Sequence, residues 1–321
     1  MQRSTIVVVF GFLLLFSSIA VPRRSQTEVQ PNLVKLDVIV VDRSNHSVDD
    51  VQKEDLQLFD EGSQQTISHF AREERAAKYG IVIDTSGSLR SLFPAVKAAV
   101  TAIVQANRAD DQTFVTRFVS SDKIQTVQEL TSDKPDLMKA INGLSVEAGQ
   151  TAVIDGIYAA AAYAVKHRTP NERVALVLIS DGEDRASHYT EKGLLKYLRE
   201  NRIQVFAIGL VRDLDDEKTL IRTSPKKRAI EFLKRLGTET GGRAFFIESE
   251  KDLTKSVFEI AHDLRIQYAI GYTPNHKPDL SERKVQVKVI NSPGRENRTA
   301  ITRSIINMEG ALSNKPGSKQ P

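Results

Sequence analysis

The sequence holds no cysteine. That excludes disulfides, thiolate metal sites, a cysteine nucleophile and a lipid-modified N-terminal cysteine, and it leaves the compartment open. A strong charge of either sign is also missing: 45 Lys and Arg against 41 Asp and Glu give a formal net charge of +4. The excess is spread along the chain. Its densest run, Lys226-Lys227-Arg228, reads as a solvated loop or helix start, so a nucleic-acid partner is not expected. Internal repeats are absent. Beyond the N-terminal segment no stretch is apolar enough to span a bilayer, which takes ~20 residues. No serine–histidine pairing is suggested, and the nearest histidine to an acidic loop, His188, falls where an exposed residue before a helix is expected.

What is present begins with an export pattern. Arg3 supplies a positive start, Ile6 to Phe16 is apolar apart from Gly11, and Ser18-Ile19-Ala20 offers small residues at the two positions a signal peptidase reads. Residues 1–20 are therefore expected to be a signal peptide, with the mature chain starting near Val21 and leaving for the periplasm or the exterior. Arg23-Arg24 just after the cut keeps an uncleaved membrane anchor as the alternative. The 321 residues allow about two domains at ~100–200 residues each. The 40% hydrophobic and 27% charged composition is that of a soluble globular chain.

Residues 30–75 read as strands. The segment Leu33 to Asp42 alternates and is rich in β-branched residues, and a hairpin follows with Asp60-Glu61-Gly62 as its turn and Thr66 to Phe70 as its returning strand. From Lys78 the rhythm changes to strands alternating with helices. The short apolar strands Ile81-Val82-Ile83 and Val174 to Ile179 suit central positions covered on both faces. This predicts an α/β unit over residues 76–265, a doubly wound and mostly parallel sheet with helices on both sides. Residues 266–307 return to strands, expected to pair with those of 30–75 in one accessory β-domain, because isolated hairpins are marginal. Residues 308–321 read as a disordered tail.

Three loops of the α/β unit carry oxygen-bearing side chains: Asp84-Thr85-Ser86-Gly87-Ser88, the loop of Thr151, and Asp181-Gly182-Glu183-Asp184. Loops at the carboxyl ends of parallel strands line the binding crevice of such a sheet. Carboxylates and hydroxyls are hard donors suited to Mg²⁺, Mn²⁺ or Ca²⁺. Mg²⁺ wants six oxygens at ~2.0–2.1 Å and keeps waters where protein does not reach, so two carboxylates and three hydroxyls leave room for an outside ligand. Each piece alone has a plainer reading: Asp84 as a turn former, Ser88 and Thr151 as helix caps, Asp181-Gly182 as a turn. Their joint occurrence favours a metal site, with Glu183 and Asp184 shaping the loop.

The segment VIDTSGSL resembles the metal-ion-dependent adhesion site of von Willebrand factor type A domains, whose signature is Asp-x-Ser-x-Ser, then Thr, then Asp. Asp84, Ser86 and Ser88 match its first part, Thr151 its second and Asp181 its third. The likeness covers about Ala76 to Leu264 and implies a Rossmann-like fold. Gly149-Gln150 stands where the family often has Gly-Gly, and Leu89 where it often has Met. The flanks also resemble a bacterial, acidobacterial-type group of exported proteins related to this domain. Catalysis needs a base or nucleophile beside the metal, and the first loop has Thr85 and Ser86 where a phosphoaspartate enzyme would place a second carboxylate, so a binding module without enzymatic activity is expected. The resemblance implies that its serines and threonine contact the cation, its aspartates act through water, and a carboxylate of a protein partner completes the shell. A structural protein with a vestigial site and a Mg²⁺-dependent hydrolase are the other classes. The oligomeric state is open.

Overall fold

The computed structural model describes residues 33–169, 172–214, 223–275, 282–293 and 296–307. The expected leader (1–20) and the expected disordered tail (308–321) lie outside the described residues. Alternation in VKLDVIVV gives β1 (Val34–Val41). The hairpin follows as β2 (Leu56–Asp60) and β3 (Ser63–Gln65). At its turn Glu61 and Gly62 have φ of 48° and 78°, the two left-handed positions that a tight hairpin matching the strand twist requires. The returning strand expected over Thr66 to Phe70 is divided instead. β3 closes the hairpin, and β4 (His69–Glu74) belongs to a different sheet. Ile67, which lies between them in sequence, is buried in the core that these sheets share.

The α/β unit then runs in order through β5 (Lys78–Asp84), α1 (Phe93–Gln105), β6 (Gln112–Phe118), β7 (Ile124–Thr131), α2 (Lys134–Asn142), α3 (Val153–His167), β8 (Val174–Ser180), α4 (Glu191–Glu200), β9 (Ile203–Gly209), α5 (Pro225–Thr240), β10 (Ala244–Phe246) and α6 (Glu250–Arg265). The helical spacing that begins at Leu89 becomes an α-helix only at Phe93. Pro94 fits the first turn, and Gly87–Leu89 forms a 3-10 turn before it. Lys226-Lys227-Arg228 lies in the first turn of α5, where the Ser224 hydroxyl accepts the Lys227 N–H at 3.2 Å.

The six-stranded sheet has the order β10-β9-β8-β5-β6-β7, parallel throughout except for β7, which runs antiparallel to β6 at one edge. One face packs on α1, α2 and α6 through residues such as Ile81, Ile83, Val100, Ile141 and Ile260. The other packs on α3, α4 and α5 through Val82, Leu176, Ala160, Leu198 and Leu233. β5 and β8, at the centre, are apolar because both faces are covered. Ala160 and Ala161 bring α3 close to the sheet.

The chain leaves α6 directly into β11 (Ile266–Tyr272), followed by β12 (Glu282–Val289), β13 (Thr299–Ile301) and β14 (Ile305–Asn307). The short segment TAITRSII holds two strands, and they lie in two sheets. One four-stranded sheet has the order β13-β1-β11-β4 and the other β14-β12-β2-β3. The strands before and after the α/β unit thus hydrogen-bond to one another, β1 to β11 and β2 to β12. Leu36, Val38, Leu58, Ile270, Tyr272 and Val287 share one core.

A buried ionic cluster joins this β-unit to α6. Arg243 meets Asp263 at 2.5 Å and Glu259 at 3.5 Å, and donates to the Asn45 carbonyl at 2.6 Å. The Ser47 N–H donates to Glu259 at 2.9 Å. His262 stands between Asp263 at 3.3 Å and Asp49 at 3.2 Å, and Arg72 holds Asp49 from its other side at 2.9 Å. The hydrogen bond to Asp263, aided by Asp49 and opposed by burial, raises the His262 pKa above its ordinary value of 6.5. His262 therefore binds its proton more tightly folded than unfolded. Its contribution is complete below the unfolded value and is lost as pH climbs through the higher folded value. Denaturant melts between about pH 6 and about pH 9 should show the wild type losing stability relative to His262→Gln. A pH-independent difference would refute this coupling.

Candidate metal centre

β5 and β8 are parallel neighbours in the register Ile83 to Ile179, so the residues that end them emerge side by side. Asp84 is 0% exposed and Asp181 2%. One oxygen of Asp84 accepts the Ser86 N–H at 2.9 Å and the other accepts the Ser180 hydroxyl at 2.8 Å. Asp181 accepts the Glu183 N–H at 3.0 Å. Burial, with the Asp181 charge added, pushes the Asp84 carboxyl up to about 7. Burial also raises Asp181, against the hydrogen bonds it receives from Glu183 and Ser88. Two desolvated carboxyls with raised pKa values are short of positive charge.

The hydroxyls line up against them. Thr151 donates to the Ser86 Oγ at 3.0 Å, and the Ser86 and Ser88 Oγ atoms lie 3.1 Å apart. Ser88 and Asp181 line one cavity, so the side chains read from sequence gather at one end of the sheet. Among the described residues no set of three or more His, Cys, Asp and Glu side chains gathers as a metal cluster. The donor set here is two carboxylates and three hydroxyls, all hard oxygens, which fits a cation of the Mg²⁺ class.

The plainer reading of Thr151 as a helix cap does not hold. Ala152 is the residue before α3, and no side chain of its own caps the helix there. The Asp184 carboxylate accepts the Ile154 N–H at 3.2 Å and the Ser187 Oγ accepts the Asp155 N–H at 3.1 Å. The carbonyl of Thr151 is gripped by the N–H groups of Arg185 at 2.8 Å and Ala186 at 3.1 Å, which lock the second loop to the third. Gly149 approaches Val119 so closely that a Cβ would sit 2.6 Å from its Cγ1, whereas Gln150 beside it is exposed. Leu89 is fully buried in the core beneath the first loop.

Two contributors were not read from sequence. Ser180 holds Asp84 and accepts the Gly182 N–H at 3.0 Å. Its signal is a hydroxyl closing a strand that is otherwise wholly apolar. Asp155 is buried in the first turn of α3 and accepts the N–H groups of His188 at 2.9 Å and Tyr189 at 3.0 Å. Burial opposes its ionisation, but these bonds and one from Ser121 outweigh it and hold its pKa low. Asp155 is thus a staple for the third loop. The His188 side chain, 82% exposed, faces Asp155 at 3.3 Å. A cavity of about 390 Å³ opens beside Ser88 and Asp181.

The von Willebrand factor type A domain model matches residues 80–259. No curated protein matches the chain. Among solved structures, the conserved hypothetical protein BatB from Bacteroides thetaiotaomicron is 19% identical with a TM-score of 0.44, over 59% of this chain and 98% of that one. A von Willebrand factor type A protein from Catenulispora acidiphila is 14% identical with a TM-score of 0.47, over 80% and 78%. The pilus adhesin SpaC from Lactobacillus rhamnosus GG is 12% identical with a TM-score of 0.47, over 78% and 47%. More than half of the 321 residues fall within the matched domain, and the chain therefore belongs to the von Willebrand factor type A domain family, which points to an interaction or scaffold role.

Proposed function

We propose that the chain is an exported binding module in which one divalent cation, held by Asp84, Ser86, Ser88, Thr151 and Asp181, captures a carboxylate of a protein partner. The observation that carries this reading is the contact chain of the Thr151, Ser86 and Ser88 hydroxyls beside two buried aspartates, Asp84, which accepts the Ser86 N–H, and Asp181, which lines one cavity with Ser88. Such a pair repels without a cation and is neutralised by one. The metal's charge makes the contact with a carboxylate far stronger than a neutral hydrogen bond. Calorimetric titration with Mg²⁺ should give one site per chain. A pull-down from the native organism should recover a partner that chelator releases. Absence of metal uptake would overturn the reading in favour of a structural role.

Export rests on the N-terminal pattern of Arg3, the apolar run and Ser18-Ile19-Ala20. Among the described residues no helix is long and apolar enough to cross a membrane. N-terminal sequencing of the exported form should begin near Val21. Intact Met1 in a soluble cytoplasmic pool would contradict this. The flanking segments 30–75 and 266–307 are assigned to one accessory domain on the strength of their shared sheets.

A further inference from the structure

The cavity beside Ser88 and Asp181 has an uneven charge. Asp181, Glu183 and Asp213 line it, and among its described lining residues Arg185 is the only cation. Arg185 is built in two parts. Its backbone N–H is fixed on the Thr151 carbonyl at 2.8 Å, which ties its position to a residue of the metal centre. Its side chain is 59% exposed and meets Glu183, itself 14% exposed, at 2.5 Å through one terminal nitrogen. The Arg185 end of this pair stands in solvent, where its attraction is screened, and an incoming carboxylate replaces Glu183 as its partner. Its remaining N–H groups form a fork that suits a carboxylate. Of the acids around the cavity, Asp213 is paired with Arg212 at 3.0 Å and Glu183 with Arg185.

We propose that Arg185 is a second grip on the partner's carboxylate. One oxygen of the ligand completes the cation's shell and the other is taken by the Arg185 guanidinium, which exchanges Glu183 for the ligand. The inference rests on the metal-dependent reading above and names a specificity residue within it. The ligand chemistry is a carboxylate, from an Asp or Glu side chain or from a chain terminus.

The test uses protein loaded with Mn²⁺, whose effect on water-proton relaxation falls when a ligand displaces metal-bound water. The probes are acetyl-aspartate amide for a side-chain carboxylate and acetyl-alanine for a chain terminus. Arg185→Gln should bind Mn²⁺ as the wild type does and bind the preferred probe about tenfold more weakly, the loss expected for one hydrogen bond to a charged group. Glu183→Gln should tighten probe binding more in the wild-type background than in Arg185→Gln, because both backgrounds lose a like charge but only the wild type also gains a released Arg185. Equal probe affinity in wild type and Arg185→Gln, or no probe binding to metal-loaded wild type, overturns the role of Arg185 and leaves the metal site standing. No Mn²⁺ uptake by the wild type overturns both.

Discussion

Mg²⁺ at a hundredfold excess over its Kd should stabilise the wild type by about 2.7 kcal/mol relative to EDTA, and Asp84→Ala should erase that gain without unfolding the protein. The two halves of this expectation have separate causes. The gain comes from a ligand that binds the folded state and has no formed site in the unfolded chain. Its loss follows because Asp84 is one of only two carboxylates in the donor set and lies fully buried. In the absence of metal the substitution has two opposing effects. It leaves the Ser180 hydroxyl and the Ser86 N–H without their acceptor, which costs ~1–3 kcal/mol. It also removes a desolvated carboxyl that Asp181 repels. Asp84→Asn removes the charge but keeps only one of the two acceptors, since its amide oxygen can take the Ser86 N–H or the Ser180 hydroxyl while its NH2 group faces the other donor. In EDTA, Asp84→Asn should therefore melt above Asp84→Ala, and in Mg²⁺ it should not move. Ser86→Ala, Ser88→Ala, Thr151→Ala and Asp181→Ala should each blunt the metal gain. Glu183→Ala should do so less, because Glu183 pairs with Arg185 at the rim. If the wild type melts identically in EDTA and Mg²⁺ and takes up no metal in the calorimeter, the cation-dependent reading fails.

The parts of this molecule that sequence made legible are those governed by local pattern. A strand with no polar side, such as Val174 to Ile179, has to be covered twice, and that requirement places it at the sheet's centre with its following loop at the crevice. The residues Asp84 and Asp181 come together because their strands are direct neighbours, a pairing that the apolar run alone only suggests. Less legible were features decided by distant partners. The segment after Gly62 divides into β3 and β4 because β3 pairs with β2 while β4 pairs with β11, some two hundred residues later in sequence. Thr299 to Asn307 divides likewise between β1 and β12. Side chains that act on a site without the right chemistry for a ligand also escape pattern. Ser180 reads as the end of a strand and Asp155 as a helix-start acid until their acceptors and donors are seen.

Arg243→Ala should cost about 3–5 kcal/mol, the usual penalty for removing one partner of a buried ion pair, and the loss should be felt in both the α/β unit and the β-unit. Arg243 lies just before β10 of the α/β unit. Its guanidinium nevertheless serves residues on two sides: Asp263 and Glu259 on α6, and the Asn45 carbonyl beyond β1. It also stacks on Phe245 at 4.7 Å. Removing it leaves the Glu259 and Asp263 carboxylates buried, with the Ser47 N–H and hydroxyl and the edge of His262 as their remaining partners. Those partners cannot replace a guanidinium that donates to both α6 carboxylates and to the loop at once. Arg243→Met combined with Glu259→Gln and Asp263→Asn should recover part of the loss, since the desolvation penalty disappears together with the attraction. Two probes in one denaturant titration decide whether the halves are coupled: hydrogen exchange at amides of β1 and of β8. Both sets should lose protection together in Arg243→Ala, because β1 pairs with β11, which continues from α6 without a break. A loss below about 1 kcal/mol would mean that water replaces the guanidinium at little cost, as it does for surface pairs. Loss of protection in β1 alone would show instead that the cluster fastens the loop without joining the two units into one cooperative whole.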